Sequence, residues 1–418
     1  MADLRPFRAL RPRVDLAARV ASPPYDVVDV AEARALTADN PESFLQISRP
    51  EIAFPDGTRG DSEAVHAAGR QALNHLLARG TFVLDPTPTY SVYRQRRGDH
   101  VQTGLVACAA VTDYTGKLIK THEQTRVDKE TDRVNHLLGL AAHDEPVFLL
   151  TAPDEAAWKP VADLIARVTA RSPLIDLVAD DDIGHTLWRV DDPGEVAEIA
   201  AAAAGLPELF VADGHHRSAA AARVAQQLGG AGGSDAFPVV VFPGEELTIL
   251  PYNRVIADLG GRDVPQWLAD LATVFDVTAL GPAGTPGIEP TGRREFAMYC
   301  AGQWHRLRLR DGVAEPARLA DPVAGLDVSL LQDLVFAPGL LISDPRTDTR
   351  LAFVGGIRGT AELERLVDSG TWAAAFALFP TSVAELVAVA ATGRDMPPKS
   401  TWFEPKLRSG LFVHRFTA

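Results

Sequence analysis

The sequence predicts a mixed α/β protein, with mixed sheets flanked by helices, on three observations. From about residue 128 onward, β-branched runs alternate with helix-period segments. Before that, between Thr89 and Thr121, three β-like runs follow one another across turn dipeptides. Beyond residue 292 a hairpin pattern leads into a second strand-helix-strand block. At 418 residues the chain exceeds what one core usually serves. Its divisions are expected at residues 1–100, 101–280 and 281–418.

Taken in order, "ASPPYDVV" opens extended, because a residue before proline is pushed out of the helical region. Asp29 to Thr37 reads as a helix, Phe44 to Ile47 as a short strand, and Glu63 to Arg79 as a helix stopped at Gly80. "TYSVYRQRR", "VQTGLVACAAVTDY" and "KLIKT" predict an antiparallel meander turning at Gly98-Asp99 and Thr115-Gly116. Asp128 is placed to cap a helix running to about Ala142. "PVFLLT" is a buried strand, Glu155 to Ala170 a helix, "LIDLVA" and "TLWRV" strands, and Gly194 to Ala204 a helix. "LFVA", a helix to about Leu228 and "FPVVVFP" follow, with Gly229 to Ser234 as connector. Gly281 to Gly292 is too rich in proline and glycine for a regular element. "REFAMYC" and "WHRLRLR" form a hairpin pattern, Val328 to Phe336 part of a helix. "LAFVGG", Thr360 to Val367, Ala375 to Phe379 and Val383 to Ala391 complete the strand and helix series.

A formal net charge of -14 opposes attraction to nucleic-acid backbones, so no nucleic-acid partner is expected. Cys108 and Cys300 are too few for a disulfide framework, which fits a reducing cytoplasm. No apolar run reaches the length of a membrane span. The chain has no GxGxxG dinucleotide fingerprint, HExxH helix or GxSxG elbow. Lone histidines such as His66, His75 and His305 show no partner spacing.

The densest chemistry lies in "LFVADGHHRSAAAARVAQQLGG". Asp213 is an N-cap candidate and Gly214 permits positive φ, which would put His215, His216 and Arg217 in a first helical turn. Cations there are unfavourable unless an anion sits among them, so the cluster reads as a phosphate site with a guanidinium fork. Two other readings stay open: a capped helix with a structural histidine, and a metal site using Asp213, His215 and His216.

"SPPYDVV", "NPESFLQISRPE", "THEQTRVDKETDR", "EPVFLL", "ADGHHRSAAA" and "MPPKSTWFEPKLRSGL" together resemble the family catalogued as domain of unknown function 1015. The "DGHHR" turn, with an acidic motif earlier in the chain, also resembles the ParB/sulfiredoxin-like fold, some of whose members are kinases of free L-serine. That resemblance implies a strand-turn-helix cradle for nucleotide phosphates within residues 101–280, ATP or ADP with magnesium, and an essential glutamate.

Glu123 is the candidate base or magnesium ligand, with His122 beside it in the catalytic segment. Arg126 and Arg133 are candidate phosphate contacts, the alternative being a polar loop ahead of a solvated helix face. "MPPKST" is not a P-loop, because Pro397 and Pro398 lack N–H groups. It presents Lys399, Ser400 and Thr401 on a stiff lead-in, with Lys406 shortly after; a C-terminal strand through "GLFVHRF" is the competing reading. Tyr25, Asp26, Asn253, Arg254, Lys399, Ser400 and Lys406 are the substrate-binding candidates. The leading expectation is a nucleotide-dependent small-molecule kinase acting on L-serine or a similar hydroxylated metabolite. The competitors are a non-catalytic nucleotide- or phosphometabolite-binding regulator and a metal-dependent hydrolase using His122, Glu123, His215 and His216.

Overall fold

The valine-rich run Ala236–Phe242 is buried at every position, as a strand covered on both faces must be. It lies within a nine-stranded mixed sheet. Across that sheet the order is Ile119–Lys120, Leu209–Asp213, Val147–Leu150, Ala236–Phe242, His100–Ala110, Tyr90–Arg97, Gly184–Val190 and Ile175–Val178, with Leu4–Arg5 pairing His100–Ala110 off this path. Ala236–Phe242 runs parallel to Val147–Leu150 and antiparallel to His100–Ala110. The computed structural model describes residues 1–416, and the chain forms a mixed α/β fold of two units, Met1–Leu247 with Pro405–Ala418, and Thr248–Glu404.

In the first unit, helices Lys159–Thr169 and Pro193–Ala203 place Val161, Leu164 and Ile199 in one core with Leu149, Val239 and Val241. Each such side chain removed from water contributes about 1.5–3 kcal/mol. Helices Val127–Leu140 and His215–Leu228 meet through Val134, Leu137, Ala220 and Val224. The alanines of the second helix allow close approach, and Gly229 ends it at φ 62.

The second unit carries a six-stranded sheet in the order Phe275–Pro282, Gln303–Leu309, Glu295–Cys300, Ala374–Leu378, Tyr252–Ile256, Leu351–Gly355. Every pairing in it is antiparallel. The "REFAMYC"/"WHRLRLR" hairpin is present as read. Strand Leu351–Gly355, helix Gly359–Asp368 and strand Ala374–Leu378 form a split βαβ unit, because Tyr252–Ile256 lies between the two strands.

Several expectations are corrected. Phe44 to Ile47 is not a strand: Leu45–Ser48 is a helical turn whose apolar side chains are buried without a ladder partner. The meander stops at Ala110, where Val111–Thr115 turns helical. Ile119–Lys120 then pairs parallel with Leu209 and Phe210 instead of folding back. The helix expected from an Asp128 cap begins at Val127 and ends at Leu140, with Arg126 at its N-cap and Ala141 left-handed. The divisions expected after residues 100 and 280 fall inside strands His100–Ala110 and Phe275–Pro282, where a cut would break ladder hydrogen bonds. Within the "GLFVHRF" segment, His414–Arg415 pairs with Ala142–His143. No helix among the described residues is long and apolar enough to cross a membrane.

Candidate functional site

Strand Leu209–Asp213 shifts register between Val211 and Asp213, a distortion that re-aims the strand end. Gly214 follows at φ 98 and is itself the N-cap of helix His215–Leu228, which has no side-chain cap. Asp213 is therefore not the cap. Its Oδ2 accepts from Arg217 Nη2 at 2.9 Å, and its Oδ1 lies 3.4 Å from Lys406 Nζ. Burial opposes the charged carboxylate, but Lys406, Arg217 and His215 outweigh it and hold Asp213 well below the usual range. A Cβ on Gly214 would meet Arg217 Nε at 3.1 Å in a backbone conformation that side chains rarely adopt. Gly214→Ala is expected to cost about 1–3 kcal/mol in a urea titration, with the loss appearing in unfolding free energy whatever the ligand.

Arg217 is 7% exposed. Besides Asp213 it donates through Nη1 to the Pro146 carbonyl at 2.5 Å and lies 3.9 Å from Glu145 Oε2. Burial favours its neutral form, yet Asp213, Asp26 and Glu145 keep the guanidinium firmly charged. Tyr25, Arg133, Glu145 and Arg217 line a cavity of about 10 Å³, room for about one water and not for a phosphate. The expected open guanidinium fork is thus an internal ion-pair partner, and the first-turn charge is neutralised from within. Glu145 is pushed up to about 7 by burial, against the pull of Arg217. Its Oε1 accepts from Ser409 Oγ at 2.6 Å and from the Tyr25 amide at 3.3 Å. Because the folded protein holds this proton more tightly than the unfolded chain, stability falls as pH rises from about 4.5 toward about 7. Glu145→Gln is expected to flatten that fall in urea titrations across the window.

The acidic motif and the signature turn are brought together. The His122 amide donates to His215 Nε2 at 3.5 Å, their rings meet edge to face at 4.5 Å, and the Arg126 amide donates to His216 Nε2 at 3.1 Å. Burial pushes His122 down to about 3 and His215 to about 4, so both are neutral imidazoles at pH 7. His122 therefore resists taking up a proton at that pH, its ring keeping the single N–H of a neutral imidazole. Half-buried Glu123 follows it, and its carboxylate enters no hydrogen bond or ion pair among the described residues.

Other candidates lie elsewhere or are held structurally. Arg126 is exposed and paired with Asp128 at 2.8 Å. Arg133 stacks on the Tyr25 ring at 4.1 Å, and Asp26 is exposed. Lys406 is committed to Asp213. Asn253, Arg254, Lys399 and Ser400 belong to the second unit. Asn253 Oδ1 accepts from the Leu378 amide at 3.1 Å, Arg254 donates to the carbonyls of Tyr252 and Pro398, and Ser400 Oγ to that of Pro397. These bonds hold backbone. Lys399 sits at φ 54 with its ammonium 5.5 Å from the Tyr252 ring. Among the described residues no group of three or more His, Cys, Asp or Glu is arranged for a metal ion, so the His122, Glu123, His215, His216 hydrolase finds no ligand set.

Sequence reasoning gave no role to Asp144 and Glu145, although two acids one proline ahead of the apolar strand Val147–Leu150 must find buried partners. It also set His66 aside, which bonds Asp132 at 3.0 Å.

No curated protein matches the chain. Among solved structures it is similar to a conserved hypothetical protein from Pyrococcus furiosus, 14% identical over 71% of this chain and 91% of that one, TM-score 0.32. It is similar also to a free serine kinase in complex with AMP, 13% identical over 68% and 83%, TM-score 0.32. A C-terminally truncated SbnI from Staphylococcus aureus is 11% identical over 74% and 87%, TM-score 0.39. Scores this low carry no functional weight for this chain. The profile described as "Protein of unknown function (DUF1015)" matches residues 4–329, well over half of the sequence, and the chain belongs to that family.

Proposed function

We propose that the protein is a nucleotide-dependent small-molecule kinase whose phosphate site is the uncapped start of helix His215–Leu228 and whose acid is Glu123. The observation that carries this reading is the pairing of the two motifs: a helix start without a side-chain cap, joined through His122–His215 and Arg126–His216 contacts to a segment whose Glu123 carboxylate makes no hydrogen bond or ion pair among the described residues. First-turn amides and the helix dipole favour phosphate oxygens without help from Arg217. Glu123 would orient or deprotonate an acceptor hydroxyl, or hold magnesium, which typically keeps its waters and takes only one or two carboxylates beside phosphate. When bound with nucleotide, that ion neutralises phosphate charge. The fit is to a single-carboxylate site of this kind. The acceptor class is a free hydroxylated metabolite, with L-serine the first to try.

The test is phosphorus NMR of the protein with L-serine, magnesium and ATP or ADP, where a phosphomonoester signal is expected. Nucleotide binding without any phosphorylated acceptor would sink the kinase reading. That outcome would favour a nucleotide-binding regulator, a reading with one observation behind it: Arg217 and Lys406 are engaged internally and His215 is neutral, leaving few cations for a moving phosphoryl group.

A further inference from the structure

A larger cavity of about 320 Å³ lies between the Ser48–Glu51 segment and helix Val127–Leu140. Its wall includes Tyr25, Ser48, Arg49, Asp132, Arg133 and His136. Ser48 and His136 are each 1% exposed and Arg133 7%. Ser48 Oγ, Arg133 Nε and His136 Nδ1 are buried with no hydrogen-bond partner among the described residues. Native proteins rarely leave such atoms unsatisfied, so three on one cavity wall point to something that satisfies them.

The chemistry of that wall selects the ligand. Asp144 Oδ2 lies 2.9 Å from His136 Nε2. Burial opposes the Asp144 charge, but His136 and Arg133 hold it down to about 2, so Nε2 carries the histidine proton and Nδ1 is an acceptor. Arg133 offers a charged donor from a guanidinium stacked on Tyr25, and Ser48 a hydroxyl. The other charges of the wall come in both signs: Arg49 lies 3.1 Å from Glu51, Arg59 2.7 Å from Asp61 and Arg133 itself 3.5 Å from Asp132, with Asp128 and Lys129 adding one of each. A polyphosphate would meet no cationic surplus. Tyr25, covered by Arg133, and Pro50 are the main apolar lining, too little for a nucleobase or an acyl chain. A second hollow of about 470 Å³ shares Asp61 and His66 with it.

We propose that this cavity binds a small carboxylic acid bearing a hydroxyl or amino group beside the carboxylate. The carboxylate is taken by Arg133 and Ser48, and the neighbouring donor by His136 Nδ1. This site stands apart from the phosphoryl-transfer reading and needs no nucleotide.

The experiment is isothermal titration of the full chain, without nucleotide or metal, using L-serine, lactate, acetate, glycinamide and inorganic phosphate. Saturable binding of L-serine or lactate is expected, with acetate and glycinamide at least about tenfold weaker because each lacks one of the two groups. Ser48→Ala should weaken binding about three- to tenfold and Arg133→Lys about ten- to a hundredfold. Ser48→Ala removes a hydroxyl that bonds nothing among the described residues, so it keeps the test readable if Arg133→Lys does not fold. The two acids separate the sources: L-serine alone identifies an amino acid, lactate alone a hydroxy acid. No saturable binding of either, equal binding of acetate, indifference to both substitutions, or phosphate binding lost with the same substitutions would each overturn the proposal. Absence of a phosphorylated product in the NMR experiment would leave these titrations unchanged.

Discussion

Replacing Glu123 with glutamine is expected to lower turnover about 100- to 10,000-fold, the range for losing a positioned acid-base group, while nucleotide affinity stays nearly constant. The separation follows from the chemistry of the two parts. Nucleotide phosphates would be held by backbone amides at an uncapped helix start, and those are untouched by a side-chain change at residue 123. The carboxylate makes no hydrogen bond or ion pair among the described residues, so the variant should fold with nearly unchanged stability. His122 is a poor substitute, because burial pushes it down to about 3, which makes its neutral imidazole a weak base near neutral pH. Rates measured alongside nucleotide titration decide the matter. Unchanged turnover would remove Glu123 from the reaction, and a parallel loss of nucleotide affinity would make it a binding residue instead.

The other large effect is one of stability. Arg217→Met should destabilise the protein by about 3–5 kcal/mol, the cost of breaking a buried ion pair by removing one partner. The methionine fills much of the volume but leaves Asp213 to Lys406 alone at 3.4 Å and strands the Pro146 carbonyl, which accepts from Arg217 Nη1. The pH dependence carries a sign. Asp213 has its carboxyl held below the ordinary value, burial opposing and Lys406 with Arg217 prevailing, so its contribution is present above the unfolded value and lost as pH falls through the folded one. The deficit of Arg217→Met, measured in urea, should therefore shrink in acid. A deficit below about 1 kcal/mol at neutral pH would mark the pair as no stronger than a surface one.

Local chemistry made much of this molecule legible in advance. Strand Ala236–Phe242 announces itself by an unbroken apolar run, helix Glu63–Ala78 by its spacing and the glycine behind it, and the signature turn by the one residue, Gly214, that takes φ 98 without strain. The short segment Leu45–Ser48 was misread because apolar content does not distinguish a buried helical turn from a strand. The meander was overextended for a related reason: Ile119–Lys120 looks like any β run, and its partner is set by a strand some ninety residues away.

The candidate site divides along the same line. Residue types and their order were enough to single out the Asp213–Arg217 turn and the Glu123 segment, since a glycine-led helix start and an isolated acid are properties of short stretches of chain. Partner choice was not. Whether Arg217 reaches outward or folds back to Asp213 and the Pro146 carbonyl, and whether Ser48, Arg133 and His136 end at one cavity, depend on which distant segments burial presses together. An ion pair or an unsatisfied hydroxyl acquires its meaning from the dielectric and the neighbours around it, and both exist only once the chain has folded.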